Sequence, residues 1–140
     1  MDKKIFFHIN TQDLFPIDME FDSIANIGNY EDNTLVEISI QDLLDYLDQD
    51  QMREYLNIII SKLKPGGKLY IQGSDIKQLG MAIVFNRVDL SLIQRVLYPN
   101  KKSIHTISEV LAALNGDNIS IENKQFINIF EYYICVKKNS

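Results

Sequence analysis

The sequence predicts an α/β fold, and three adjoining features predict it. Met52, Tyr55, Leu56, Ile59, Ile60 and Leu63 recur at the i, i+3, i+4, i+7, i+8, i+11 spacing of one buried helical face. Lys64-Pro65-Gly66-Gly67 then stops that helix, because proline cannot continue it and both glycines can take the positive φ angles of a C-cap and tight turn. Residues 68–72 follow at once as a short central strand, which must lie against the helix.

Taken in chain order, residues 4–9 read as a strand. Residues 11–18 are polar and interrupted by Pro16, the loosest stretch of the chain. Residues 21–26 read as a second strand, and Gly28 as a turn residue. Asp42, Asp45, Asp48 and Asp50 form an acidic run. Asp42 and Asp45 would share a helical face, and Asp42 sits where a helix starts, so capping and solvated surface explain the run. After the central strand Asp75 can cap a helix that Gly80 weakens. Leu90, Ile93, Val96 and Leu97 mark a clearer helix opening at Asp89 and ended by Pro99-Asn100. Thr106-Ile107-Ser108-Glu109 has capping-box spacing, Val110, Leu111 and Leu114 continue that helix, and Asn115-Gly116 closes it. Residues 119–122 and 130–136 finish the fold as an antiparallel hairpin at the sheet edge, with Phe130, Tyr132, Ile134 and Val136 on one face. Tyr132, Tyr133, Phe126 and Phe130 make an aromatic cluster whose alternate face is a candidate oligomer interface.

With 140 residues, 46% hydrophobic and 24% charged, the chain is expected to form one soluble domain, 1–140, around one core. A net charge of -5 argues against a nucleic-acid partner, since phosphate binding needs clustered positive charge. The pairs Lys3-Lys4, Lys101-Lys102 and Lys137-Lys138 are isolated and read as solvated surface. The apolar run 5–9 is broken by His8 and too short for a signal-peptide core, and no stretch is long enough to span a membrane. Cys135 is the single cysteine and reads as a small buried or half-buried residue, so a cytoplasmic setting is expected. His8 and His105 are the only histidines; together with one cysteine they exclude a multi-histidine or zinc site, and no metal is expected.

Around the Lys64-Pro65-Gly66-Gly67 turn the chain resembles the class I S-adenosylmethionine-dependent methyltransferases, whose late helix commonly ends in such a turn before the fifth strand. Residues 30–38, Tyr-Glu-Asp-Asn-Thr-Leu-Val-Glu-Ile, are similar to that family's loop and fourth strand. Asp42, Asp45 and Tyr46 stand where many members carry His-Val-Leu-Glu-His; Ser74-Asp75 and Ile104-His105-Thr106 resemble later segments. The resemblance covers roughly the last three-quarters of the chain and rests on the order of elements. It implies a single-domain, truncated Rossmann-like methyltransferase sheet with helices on its faces and a C-terminal antiparallel hairpin.

Members of that family hold their cofactor with a glycine-rich turn after the first strand and an acidic residue ending the second. Neither is legible here. About thirty residues precede Asp32, too few for three strands and two helices when one βαβ unit needs roughly thirty. Residues 4–9 are accordingly taken as the family's first strand and 21–26 as its third, with the cofactor-binding unit between them lost and no cofactor expected.

Three readings follow. The preferred one is a non-catalytic methyltransferase-like pseudoenzyme acting through protein-protein interaction, as a homodimer or accessory subunit, with the face left by the lost helices as the dimer contact. The alternative is an active small methyltransferase acting on a small molecule or glycan precursor. Its cofactor loop would be Asn10-Thr11-Gln12-Asp13, with Asp18 or Glu20 on the ribose and Gln41, Asp42 and His105 facing substrate. The third is an enzyme of another class using His105, which precedes a helix near the carboxyl ends of the strands, as acid or base with Asp75.

Overall fold

The computed structural model describes residues 3–8, 20–97, 103–114, 116 and 118–140. It contains six strands, β1 Lys3–His8, β2 Glu20–Ser23, β3 Leu35–Gln41, β4 Leu63–Ser74, β5 Ile119–Phe126 and β6 Glu131–Lys138. Four α-helices join them, α1 Gln49–Lys62, α2 Ile76–Val84, α3 Leu90–Leu97 and α4 Ile107–Ala113, with 3-10 turns at Ile24–Asn29 and Leu43–Tyr46. One sheet runs in the order β2-β1-β3-β4-β6-β5. β1, β2, β3 and β4 are parallel, and β6 and β5 close the far side antiparallel, as the C-terminal hairpin pattern predicts.

The predicted helical face is realised in α1. Leu56, Ile59 and Leu63 are fully buried, and Met52 and Ile60 nearly so, against Ile38, Ile40, Leu69 and Ile71 of the sheet. Gln51 closes the start of α1 by accepting from the Asp48 N–H at 3.1 Å. Val110 and Leu114 of α4, and Ile24 and Ile27 of the first 3-10 turn, join the same core from the same face of the sheet. The Pro-Gly-Gly turn is looped out within β4: Leu35 pairs with Leu63, and the register resumes only at Glu37 with Lys68. Gly66 takes φ +85, as expected. Gly67 does not; it is needed for a different reason, because a Cβ there would stand 2.9–3.1 Å from the carbonyl oxygens of Lys64, Val36 and Leu35.

The structure corrects the reading of residues 21–26. The strand ends at Ser23, whose hydroxyl accepts from Ala25 N–H, and the chain turns into a 3-10 helix. β2 pairs directly with β1, Ile5 opposite Glu20 through His8 opposite Ser23. In a doubly wound sheet of order 3-2-1-4 that is the place of the second strand, not the third. Among the described residues no strand lies outside β2.

Gly67→Ala is expected to lower stability by about 1–3 kcal/mol, the usual cost of forcing an extra methyl into a packed site. Gly28→Ala, where a Cβ would meet nothing within 4 Å, should change little. Urea unfolding of the two variants beside the parent compares them; equal midpoints for Gly67→Ala and the parent would contradict the crowding argument.

Candidate functional site

Open α/β sheets bind ligands at the carboxyl ends of their parallel strands, and here that edge is built by the ends of β1, β2 and β3. Asp22, next to last in β2, has its carboxylate oriented by the Ser23 N–H at 2.8 Å, the Asn26 side-chain amide at 2.7 Å and the Tyr30 hydroxyl at 2.7 Å. Tyr30 packs edge-on to Phe7 with ring centroids 5.5 Å apart. Its hydroxyl is pushed up to about 12, first by burial and then by the hydrogen bond to Asp22 and that carboxylate's charge. An acidic group at the end of the second strand is what the sequence reading missed. The signal was present in Glu20-Phe21-Asp22-Ser23 but hidden by assigning that segment to the third strand.

β3 ends at Gln41, opposite Gln72 of β4. The next residue, Asp42, takes the left-handed conformation with φ 54 and donates its N–H to the Gln72 carbonyl at 2.9 Å. The left-handed region is uncommon for residues other than glycine, and aspartate is among those that enter it most readily. The turn continues as Leu43–Tyr46, and Asp45, expected on a solvated face, is instead 4% exposed.

His105 is 1% exposed and does not face solvent. Its Nε2 shares a 2.5 Å hydrogen bond with the Tyr132 hydroxyl, and its Nδ1 lies 3.2 Å from an Asp45 carboxylate oxygen, off the line of a well-aligned hydrogen bond. The Tyr132 hydroxyl is raised well above its ordinary value by burial, and then by the charges of Asp45, Asp42 and Asp75. The cavity beside this cluster, lined in part by Ser74, Leu79 and Ile104, leaves about 10 Å³ for the centre of a water molecule, which admits one water and no substrate.

The sequence-predicted residues therefore separate. Asp75 caps α2 through the Gln78 N–H and α4 through the Ile107 N–H, both carboxylate oxygens engaged. His105 meets Asp45 and Tyr132 through its ring and reaches the Asp75 region only by its carbonyl, which accepts from the Ile76 N–H at 2.9 Å. The expected acid-base pair of His105 with Asp75 and the substrate-facing role of His105 are thus corrected by burial and by partner choice. Gln41 and Asp42 do lie at the carboxyl edge. Glu20 opens β2 at the opposite end, 3.8 Å from the Lys3 amine. Asn10, Thr11 and Asp18 lie outside the described residues. Cys135 is 6% exposed, and burial pushes its thiol up, away from a nucleophile's range. Among the described residues no helix is long and apolar enough to cross a membrane.

No family model matches the sequence, and no curated protein does. Solved structures do. A SAM-dependent methyltransferase from Methanosarcina mazei superposes with TM-score 0.67 at 14% identity, over 99% of this chain and 93% of that one. The magnesium protoporphyrin IX methyltransferase of Synechocystis, with S-adenosylhomocysteine bound, gives TM-score 0.58 at 10% identity over 86% and 51%. An O-methyltransferase family protein from Burkholderia thailandensis gives 0.63 at 18% identity over 87% and 36%. The chain likewise spans 45% and 60% of matching proteins from Bordetella parapertussis and Pyrococcus horikoshii. The fold is that of the class I S-adenosylmethionine-dependent methyltransferases. The expectation of no cofactor is overturned by these neighbours, which are S-adenosylmethionine-dependent and in one case hold the demethylated product. Its physical premise fails as well, since the second strand read as lost stands beside β1.

The tyrosines set an alkaline limit. Tyr30 and Tyr133 are each pushed up to about 12, so the folded chain keeps protons that the unfolded chain releases near the ordinary tyrosine value of about 10. Their contribution is constant below that value and turns against folding as pH rises from about 10 toward 12. Urea midpoints are expected to fall over that window and to fall less in Tyr30→Phe; a flat profile for the parent would contradict the assignment.

Proposed function

We propose that this chain, folded as one domain, binds S-adenosylmethionine at the carboxyl ends of β1, β2 and β3 and acts as a small methyltransferase on a small-molecule acceptor. The observation that carries the reading is the parallel pairing of β2 with β1, which brings the Asp22 carboxylate to the ligand edge. Asp22 would accept the two ribose hydroxyls, for which a carboxylate pre-oriented by Tyr30 and Asn26 is suited. Gln41 and Asp42 would adjoin the reacting end, with the Asp42 carboxylate the group there that could take a proton from the acceptor. When bound, the cofactor supplies a methyl group activated by its sulfonium centre. The segment after β1 lacks glycine.

A second reading has its own support. Met81, Val84, Phe85, Leu90, Ile127 and Ile129 are 45–75% exposed, and Met81, Phe85 and Ile129 line one groove. Apolar exposure of this kind favours association, and a homodimer through this patch is compatible with either fate of the cofactor site. Phe85→Asp should convert such a dimer to a monomer in sedimentation at micromolar concentration; an unchanged sedimentation coefficient would remove the patch from any interface.

Calorimetric titration with S-adenosylhomocysteine tests the main reading. Saturable binding is expected, weakened about tenfold or more by Asp22→Ala and by the near-isosteric Asp22→Asn, in line with loss of hydrogen bonds to a charged group. A folded parent showing no binding at millimolar ligand would end the proposal.

A further inference from the structure

We propose that His105 is a positioning residue: through Asp45 it holds the Asp42–Leu47 turn, and with it Asp42, in the arrangement the ligand edge requires. The inference rests on the binding site proposed above. The turn after β3 is held on its apolar side by Leu43, Leu44 and Leu47, all buried in the core, and at its start by the Asp42 N–H on the Gln72 carbonyl. It opens with a left-handed aspartate and runs through a single 3-10 turn, without a side-chain cap at its start. Its polar side is tied to a segment about sixty residues later in the chain. Ser103 N–H donates to the Asp45 carbonyl at 3.1 Å, and the Ser103 hydroxyl lies 2.6 Å from the Leu47 carbonyl and 3.3 Å from that of Leu44. Two residues on, the His105 ring sets Nδ1 3.2 Å from an Asp45 carboxylate oxygen.

That segment is itself anchored twice. The His105 carbonyl accepts from the Ile76 N–H at the start of α2, and Nε2 is bonded to Tyr132 in β6. Tyr132 is fully buried and lies so close over Gly73 that a Cβ there would stand 2.6 Å from the hydroxyl. A rigid path thus runs from Gly73 through Tyr132 and His105 to Asp45 and the turn bearing Asp42. Nε2 and the Tyr132 hydroxyl share one hydrogen bond, whose direction depends on the ring's tautomer, and Nδ1 faces the Asp45 carboxylate at 3.2 Å.

Burying a carboxylate and an imidazole together is rarely the cheapest way to fill a core, since apolar residues of similar volume are often as stabilising. The value of the arrangement is directional: an apolar residue at 105 could fill the space but could not fix which way the turn faces.

The two arms of the ring can be cut separately. His105→Asn places an amide near the Nδ1 position and keeps the Asp45 contact; His105→Gln places one near Nε2 and keeps the Tyr132 contact. Three measurements are made on each full-length variant: thermal midpoint, amide hydrogen exchange of residues 42–47, and affinity for S-adenosylhomocysteine by calorimetry. Comparable losses of thermal midpoint are expected in both. Exchange across 42–47 should quicken, and affinity fall about tenfold or more, in His105→Gln, whereas His105→Asn stays within about threefold of the parent. Equal losses of affinity and of exchange protection across 42–47 in both variants would mark His105 as merely structural, and unchanged exchange in His105→Gln would equally overturn the proposal. A parent that binds no S-adenosylhomocysteine would sink the function proposed above, while the exchange comparison still decides whether His105 holds the turn.

Discussion

The length of two crossovers governs the left half of the molecule. Eleven residues, 9–19, separate β1 from β2, and another eleven, 24–34, separate β2 from β3. A parallel crossover needs about a dozen residues to leave one strand, return along its length and enter the next. Connections this short leave no length for a further strand between β1 and β3, and the first of them ends with β2 paired to β1. The second steps over β1 with only a 3-10 turn and a tight loop, leaving no length for another strand. Adjacency of β1 and β2 is the part of this fold that a dinucleotide-type ligand edge needs, and it is the part that the shortest possible connections preserve.

The right half is organised by burial instead. Forty-four residues, 75–118, lie between β4 and β5, and a loop of that length would be loose without internal ties. Asp75 supplies one by capping two helices with one carboxylate. The Asp45–His105–Tyr132 cluster supplies another, and its partners come from three separate regions of the chain. Both ties are polar groups almost fully excluded from water, where an unmade hydrogen bond costs about 1–3 kcal/mol; Asp75 has both carboxylate oxygens bonded, and in the cluster the His105–Tyr132 bond is made while Nδ1 only faces Asp45.

Much of this was legible in sequence because it depends on local pattern. The α1 face, the helix stop at Pro65 and the alternation of Tyr132, Ile134 and Val136 each follow from periods that neighbouring residues display. The caps at Asp75 and Thr106 were equally local, each side chain accepting an N–H three residues on. What failed was non-local. Asp22 was passed over because four residues, Glu20–Ser23, do not reveal which strand they pair with, and only pairing distinguishes a second strand from a third. His105 was placed correctly near the carboxyl edge but with the wrong partner. Asp75 is thirty residues away and Asp45 sixty, and nothing in either spacing says which carboxylate the ring will meet. Gly67 was assigned to backbone freedom when its requirement is the approach of three carbonyl oxygens from two strands.

The remaining edge of the sheet bears on how the molecule can associate. Among the described residues β5 pairs only with β6, and such an edge in a regular strand would invite another chain to add on. It is not regular. The register slips between Ile121 and Asn123, and Glu122 is drawn back to Lys68 at 3.1 Å. A bulge flanked by charge twists the strand and interrupts the row of amides that a newcomer would need. Sheet extension is thus opposed along β5, although Ile121 and Phe126 of that strand are exposed, and the more exposed apolar side chains Val84, Phe85 and Leu90 lie at the end of α2 and the start of α3. Association through that patch would place the partner beside the carboxyl edge, next to the turn that leads into β6 and to Tyr132, so that a second copy and a bound ligand would act on one shared end of the sheet.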